Sequence, residues 1–129
     1  MSAVVKVLIV EDNEVYRATL ELLLDGRDGL EVVGSIGAGD EAAEAVTAFG
    51  PDVVLMDFRL PGLDGAGATA AVLAASPHTA VICLTAEATN ADRLAVLEAG
   101  AVGLVEKGCP TDELVKAIRS ARQRGESNP

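Results

Sequence analysis

Short apolar runs alternate with longer amphipathic stretches along almost the whole chain. The runs are rich in β-branched residues and have the length of strands, and the stretches between them have helical spacing. The predicted strands are Val4–Val10, Glu31–Ser35, Val53–Met56, Ala80–Leu84 and Val102–Val105. The predicted helices are Asn13–Asp25, Asp40–Phe49, Gly65–Ala75, Asn90–Ala99 and Pro110–Arg122. This alternation predicts βαβ units around one parallel sheet.

The strands are apolar on both faces, which indicates that helices cover both sides of the sheet. Two helices have a recognisable apolar face. The predicted faces are Val15, Ala18, Leu22 and Leu23 in the first helix, and Leu114, Val115, Ile118 and Ala121 in the last. Asn13 is expected to cap the first helix, and Pro110 suits the first turn of the last. We therefore predict one α/β domain over residues 1–122, with residues 123–129 as a tail or the start of a linker.

Composition narrows the class of protein. The 129 residues have a net charge of −10, which counts against binding to nucleic acid or to an anionic membrane. The seven-residue run "VVKVLIV" is too short to span a bilayer, and no signal peptide is apparent. Cys83 and Cys109 do not form a disulfide or metal-binding pattern, so we expect reduced thiols and a cytoplasmic location.

Polar side chains stand where four of the apolar strands end. Glu11 and Asp12 follow the first strand, Asp57 the third and Thr85 the fourth, and Lys107 comes after the fifth. Ligands of open α/β sheets bind beyond the carboxyl ends of the strands. In a flavodoxin-like sheet of order 2-1-3-4-5, the first and third strands are neighbours. Asp12 and Asp57 would then lie side by side.

Such a cluster suggests metal-assisted phosphate chemistry. Two carboxylates about 4 Å apart repel each other by roughly 4 kcal/mol at an effective dielectric near 20, and a divalent cation relieves this repulsion. Mg²⁺ prefers carboxylate oxygens, waters and phosphate. Lys107 and Thr85 offer a positive charge and a hydroxyl for a phosphoryl group, and one carboxylate can act as a nucleophile.

The segments "LIVEDN", "PDVVLMDFRLPGLDG", "VICLTA" and "EAGAVGLVEKG" resemble the receiver domain of two-component response regulators. The resemblance extends from residue 4 to about residue 122, and the NarL/FixJ (LuxR-type) subfamily is the most similar. It implies a flavodoxin-like (βα)₅ three-layer sandwich. It also implies a phosphoacceptor signalling domain, not an enzyme, although such domains self-phosphorylate from small phosphodonors with Mg²⁺ and dephosphorylate themselves.

The same resemblance implies a role for each site residue. Asp57 is the phosphoacceptor and a Mg²⁺ ligand together with Asp12 and the backbone carbonyl of Arg59, while Glu11 acts mainly through a water. Lys107 pairs with the carboxylate and then with the phosphoryl group, and Thr85 is the switch hydroxyl. Ala86, a small residue, leaves room for the phosphoryl group.

The implied partners are a histidine kinase and, for some family members, a second copy of the domain. The expected output is transcription through a DNA-binding domain that these residues do not contain. Leu104 and Gly108 depart from the family, which often has an aromatic residue and a proline at these positions. Leu97, Leu104 and the exposed side of the last helix are either a partner surface or ordinary core.

Three other readings compete. A phosphohydrolase with an aspartyl nucleophile would need a second aspartate where Arg59 stands. A flavin-binding module would need a phosphate loop rich in glycine, serine or threonine in place of "EDNE". A stand-alone or degenerate receiver would act by protein–protein binding alone, although all five side chains of the site are retained.

Overall fold

A computed structural model describes residues 4–87 and 89–127 of the chain. Five parallel strands form one sheet in the order β2-β1-β3-β4-β5. The strands are β1 Val5–Val10, β2 Leu30–Ile36, β3 Val53–Asp57, β4 Ala80–Thr85 and β5 Gly103–Glu106. The helices are α1 Glu14–Leu24, α2 Ala42–Phe49, α3 Gly65–Ala75, α4 Asn90–Glu98 and α5 Thr111–Ser127. The predicted fold class and strand order are confirmed.

Side-chain alternation along the strands builds the three layers. In β1, Val7 and Ile9 belong to one core cluster, with residues of α1 and α5. Leu8 and Val10 belong to the other, with residues of α2, α3 and α4. Successive strand residues point to opposite faces, so each strand serves both cores. Strand β3 is buried along its whole length, and this fixes its last residue, Asp57, in a rigid position.

The predicted apolar face of α1 is wrong. Val15 is 78% exposed and Leu22 is 85% exposed, whereas Leu20 and Leu24 are buried. The buried stripe has residues four positions apart and packs in the cluster that contains α5. Asn13 does cap α1, since its side chain accepts a hydrogen bond from the Tyr16 amide. The predicted face of α5 is confirmed, because Leu114, Val115, Ile118 and Ala121 are all buried.

Helix α5 continues to Ser127, past its predicted end at Arg122. The predicted domain boundary at residue 122 stays a prediction, and residues 128–129 of the predicted tail lie outside the described residues. Within the described part of the chain, none of the helices combines the length and the apolar character that a bilayer span requires.

Candidate functional site

Three carboxylates meet at the carboxyl ends of β1 and β3. One oxygen from each of Glu11, Asp12 and Asp57 lies within 4.8 Å of the other two. The adjacent pairing of the two strands accounts for this, because Val10 is in register with Met56 and the acidic residues come next. Glu11 is fully buried and Asp57 is 4% exposed, while Asp12 faces solvent. The prediction that Asp12 and Asp57 lie side by side is confirmed.

Lys107 reaches this cluster from the far side of β4. Its Nζ lies 2.9 Å from Glu11 Oε1 and 3.2 Å from Asp57 Oδ1. A hydrogen bond of 2.7 Å from the Lys107 amide to the Thr85 carbonyl fixes the backbone at the start of this reach. The ammonium is thus shared between two buried carboxylates. The pairing of Lys107 with Asp57 was expected from the sequence. The closer contact with Glu11 was not part of that expectation.

The cluster contains more acidic than basic groups, and this changes the pKa values of its members. The pKa of Asp57 is raised to about 7, mainly by burial and also by its neighbours Asp12 and Glu11, while Lys107 opposes the rise. Burial by itself would lower the pKa of Lys107, but its contacts with Glu11 and Asp57 outweigh this, so the pKa is raised. Three carboxylates therefore face one ammonium. The excess negative charge favours a cation.

The donor set suits Mg²⁺. Hard oxygen ligands from one or two carboxylates, completed by waters, are the ligands that this ion prefers. Beside the cluster lies an open depression of about 430 Å³, lined by Asp12, Phe58, Arg59, Leu60, Pro61 and Asp64. It leaves space for waters and for a phosphoryl group. Glu11 Oε2 is already engaged, because it accepts the Asn13 amide at 3.0 Å.

The loop after β3 is folded tightly against the strand end. The Arg59 amide donates to Asp57 Oδ1 at 3.3 Å, and Arg59 itself lines the depression. A Cβ at Gly65 would lie 2.7 Å from the Asp57 carbonyl oxygen and from Phe58 Cα. Only glycine therefore permits α3 to begin so close to the acidic cluster. Asp64 caps this helix through the Gly67 amide, as expected for a turn or cap residue.

Thr85 ends β4 next to the cluster and is 4% exposed. Its hydroxyl donates to the backbone carbonyl of Glu87 at 3.3 Å. Strand pairing puts Leu84 opposite Asp57, so Thr85 comes directly after the neighbour of the acidic residue. Ala86, the next residue, is exposed. Among the described residues, the hydroxyl thus contacts the loop after β4, and Thr85 lies on the strand next to that of Asp57.

The structure places both residues that depart from the family pattern, Leu104 and Gly108. Leu104 is 8% exposed and packs in the core cluster of α2, α3 and α4, so it contributes to the core. Leu97 is 46% exposed and is available to a partner. Gly108 has a φ of +88°, a left-handed conformation that glycine adopts without strain.

Two residues of α1 at the site were not singled out from the sequence. Arg17 Nη1 donates to the Glu11 carbonyl at 2.7 Å and ties α1 to the end of β1. The Tyr16 ring lies 5.0 Å from Lys107 Nζ, measured to its centroid. Their position could have indicated a role, because both lie at the start of the helix that follows Glu11 and Asp12 in the sequence.

Comparisons with known proteins agree with this geometry. The model of the response regulator receiver domain family matches residues 7–119. Response regulator GacA of Pseudomonas syringae is 37% identical over 115 residues, 89% of this chain and 54% of GacA. Response regulator UvrY of Escherichia coli O6:H1 is 37% identical over 116 residues, 90% of this chain and 53% of UvrY. The chain thus spans about half the length of these relatives.

Among solved structures, the signal receiver domain of NarL from Mycobacterium tuberculosis superposes with a TM-score of 0.88. The two sequences are 32% identical, and the alignment covers 95% of this chain and 98% of that one. The similarity to NarL, GacA and UvrY fits the NarL/FixJ (LuxR-type) subfamily.

Proposed function

Because this chain belongs to the response regulator receiver domain family, we propose that Asp57 accepts a phosphoryl group from a histidine kinase in the presence of Mg²⁺. The observation that carries the proposal is the meeting of Glu11, Asp12 and Asp57 with the Lys107 ammonium at one sheet edge. This is the arrangement that an acidic nucleophile, a divalent cation and a phosphoryl oxygen need together.

The transfer exchanges one bond for another. An Asp57 carboxylate oxygen forms a bond to phosphorus as the bond from phosphorus to the donor imidazole breaks. The electron pair leaves with the imidazole nitrogen, which takes a proton from water. Burial of β3 holds the attacking oxygen in place, and such positioning supplies much of the advantage in phosphoryl transfer.

Each neighbour of Asp57 has a defined task in this proposal. Asp12, Asp57 and the Arg59 carbonyl would bind Mg²⁺ directly, and Glu11 would act through a water. The ion would neutralise charge on the carboxylates and the phosphoryl oxygens. Lys107 moves from its carboxylate contacts to a phosphoryl oxygen. A small donor such as acetyl phosphate can replace the kinase, with acetate as the leaving group, and water later removes the phosphoryl group from Asp57.

Phosphorylation then changes the partner of Thr85. In this structure, without a phosphoryl group, the Thr85 hydroxyl donates to the Glu87 carbonyl in the adjacent loop. A phosphoryl group on Asp57 would offer it a charged acceptor instead. Movement of the hydroxyl would draw the loop after β4 inward and bias an equilibrium between two existing states. We propose that the output is transcription, through a DNA-binding domain of the full protein. We further propose that the receiver acts in the cytoplasm and pairs there with a second copy.

Intact-protein mass after incubation with Mg²⁺ and acetyl phosphate tests the acceptor. Wild type should gain one phosphoryl group, and EDTA should prevent the gain. Asp57→Asn should gain none, while the matched Asp112→Asn variant should behave as wild type, because Asp112 is exposed in the first turn of α5 and does not belong to the acidic cluster. Equal labelling of wild type and Asp57→Asn would reject Asp57 as the acceptor.

A further inference from the structure

The Lys107 ammonium has an aromatic neighbour in addition to its two carboxylate partners. Tyr16 is the single tyrosine of the chain, and its ring centroid lies 5.0 Å from Lys107 Nζ. This distance is within the range of a cation–π interaction, which extends to about 6 Å. The ammonium therefore contacts a ring on α1 as well as two carboxylates at the edge of the sheet.

Both partners are partly withdrawn from water. The Lys107 side chain is 25% exposed, and Tyr16 packs against the core cluster shared by α1 and α5. Burial raises the pKa of the Tyr16 hydroxyl, and the charge of Lys107 opposes that rise. Desolvation strengthens a cation–π interaction, so this contact is stronger than one at an open surface.

The backbone around Lys107 does little to restrict the position of its side chain. Its amide is bonded to the Thr85 carbonyl, but the next residue is Gly108, which has a φ of +88° and no Cβ to restrict the loop. The long lysine side chain loses rotamer freedom when it is fixed, which opposes a single position of the ammonium. The attraction between the ammonium and the Tyr16 ring offsets part of this cost.

We propose that Tyr16 is a positioning residue that keeps the Lys107 ammonium over Asp57 and guides it to the incoming phosphoryl oxygen. The inference rests on the proposed phosphoacceptor function, in which Lys107 changes partner from carboxylate to phosphoryl oxygen. A flat ring face lets the ammonium slide between these partners while it stays in contact. Charge that is held close to its place in the transition state reduces the reorganisation that the reaction needs.

The first test measures the contact without any phosphoryl transfer. Urea unfolding in EDTA, followed by circular dichroism, is compared for Tyr16→Leu, Lys107→Met and the double variant. We expect the two changes to be coupled by about two- to thirtyfold in the unfolding equilibrium constant. The control pair, Tyr16→Leu with Lys116→Met, should show no coupling, since Lys116 is exposed on α5. Equal coupling in both pairs would overturn the proposal.

The second test measures the consequence. At subsaturating acetyl phosphate and saturating Mg²⁺, Tyr16→Leu should be phosphorylated on the order of tenfold more slowly than wild type. Tyr16→Phe should stay within about twofold, because a phenyl ring retains the cation–π interaction. Val15→Ala, a change of an exposed residue on the same turn, should leave the rate unchanged. A Tyr16→Phe rate as low as that of Tyr16→Leu would overturn the role of the ring.

These two tests separate the inference from the proposed function. If Asp57 accepts no phosphoryl group in any variant, the proposed function fails, yet the coupling in EDTA still reports the Tyr16–Lys107 contact. If wild type is phosphorylated and Tyr16→Leu is phosphorylated equally fast, the proposed function stands and the positioning role falls.

Discussion

Glu11 Oε1 lies closer to the Lys107 ammonium than Asp57 Oδ1 does, at 2.9 Å against 3.2 Å. Glu11 is fully buried, and a buried carboxylate without a counter-charge is costly. Lys107 therefore balances Glu11 as well as Asp57 in this state. In the proposed reaction a bound Mg²⁺ would supply part of that balance, and the Lys107 ammonium could then turn to the phosphoryl group.

This sharing predicts the effect of Glu11→Gln. The substitution keeps the shape of the side chain but removes one of the negative charges that attract Mg²⁺. We expect Mg²⁺ affinity to fall on the order of tenfold, as is typical when a residue supporting the ligand shell is changed. Isothermal titration calorimetry measures the affinity directly. Glu14→Gln removes the same charge from an exposed position in α1, and equal losses in the two variants would contradict a specific role for Glu11.

A second prediction concerns pH in the absence of metal. The pKa of Asp57 is raised to about 7, above the unfolded value near 4. Between these values the folded state retains a proton that the unfolded state has lost. The stability that this group contributes is complete below about pH 4 and is lost as pH rises through about 7.

We therefore expect the free energy of unfolding in EDTA to fall by about 2–4 kcal/mol between pH 4.5 and pH 8, at about 1.4 kcal/mol for each unit of pKa shift. Asp57→Asn should remove most of this slope, and Mg²⁺ should reduce it in wild type. Urea unfolding across this pH range measures it. If Asp57→Asn kept the full wild-type slope in EDTA, other groups would account for the pH dependence.

The third prediction concerns Gly65, where α3 begins against the acidic strand end. A Cβ there would lie 2.7 Å from the backbone of Asp57 and Phe58, and backbone atoms cannot easily move away. Gly65→Ala should destabilise the protein by about 1–3 kcal/mol, as overpacking does. It should also slow phosphorylation by displacing Asp57.

Gly67 provides the matched control in the same helix. A Cβ at Gly67 would also come within 2.7 Å of another atom, but that atom is the end of the flexible Leu63 side chain. Gly67→Ala should therefore cost much less, and the higher helix propensity of alanine partly offsets the cost. Urea unfolding of both variants tests the difference. Equal losses of stability would show that the close backbone approach at Gly65 does not matter.

The position of the site could be predicted from sequence because it depends on topology alone. The strands ended in Asp57 and Thr85 or just before Glu11 and Asp12, and any parallel sheet brings such ends to one edge. The contact between Glu11 and Lys107 could not be predicted in this way. It depends on how far a long side chain reaches across β4, and strand order does not specify a rotamer.

The face of α1 could not be predicted, because two apolar stripes coexist on one helix. Val15 and Leu22 lie on the exposed stripe, and Leu20 and Leu24 lie on the buried one. Both stripes have helical spacing, so periodicity alone cannot decide between them. The stripe with Leu20 and Leu24 is the buried one because it packs in the core cluster that contains residues of β1 and α5. Tyr16 lies one turn before Leu20 on the same side of the helix, where it packs against this cluster and its ring contacts the Lys107 ammonium.

The last prediction separates acceptance of the phosphoryl group from the response to it. The Thr85 hydroxyl donates to the Glu87 carbonyl before phosphorylation and, in the proposed switch, to a phosphoryl oxygen afterwards. Thr85→Ala should still be phosphorylated on Asp57, since the nucleophile and the acidic cluster are untouched. NMR chemical-shift changes in α4 and β5 on phosphorylation should fall to less than half of those in wild type, because the pull on the loop is lost.

Thr85→Ser keeps the hydroxyl and should retain most of this response. Thr79→Ala removes a buried threonine just before the opposite end of β4, where the hydroxyl is engaged with Ser76, and it should leave the response intact. A full shift response in phosphorylated Thr85→Ala would mean that the loop after β4 moves without this hydroxyl. Since Leu104 is packed into the core and has no aromatic ring to rotate, the switch would then have to be transmitted through the backbone of β4 and β5.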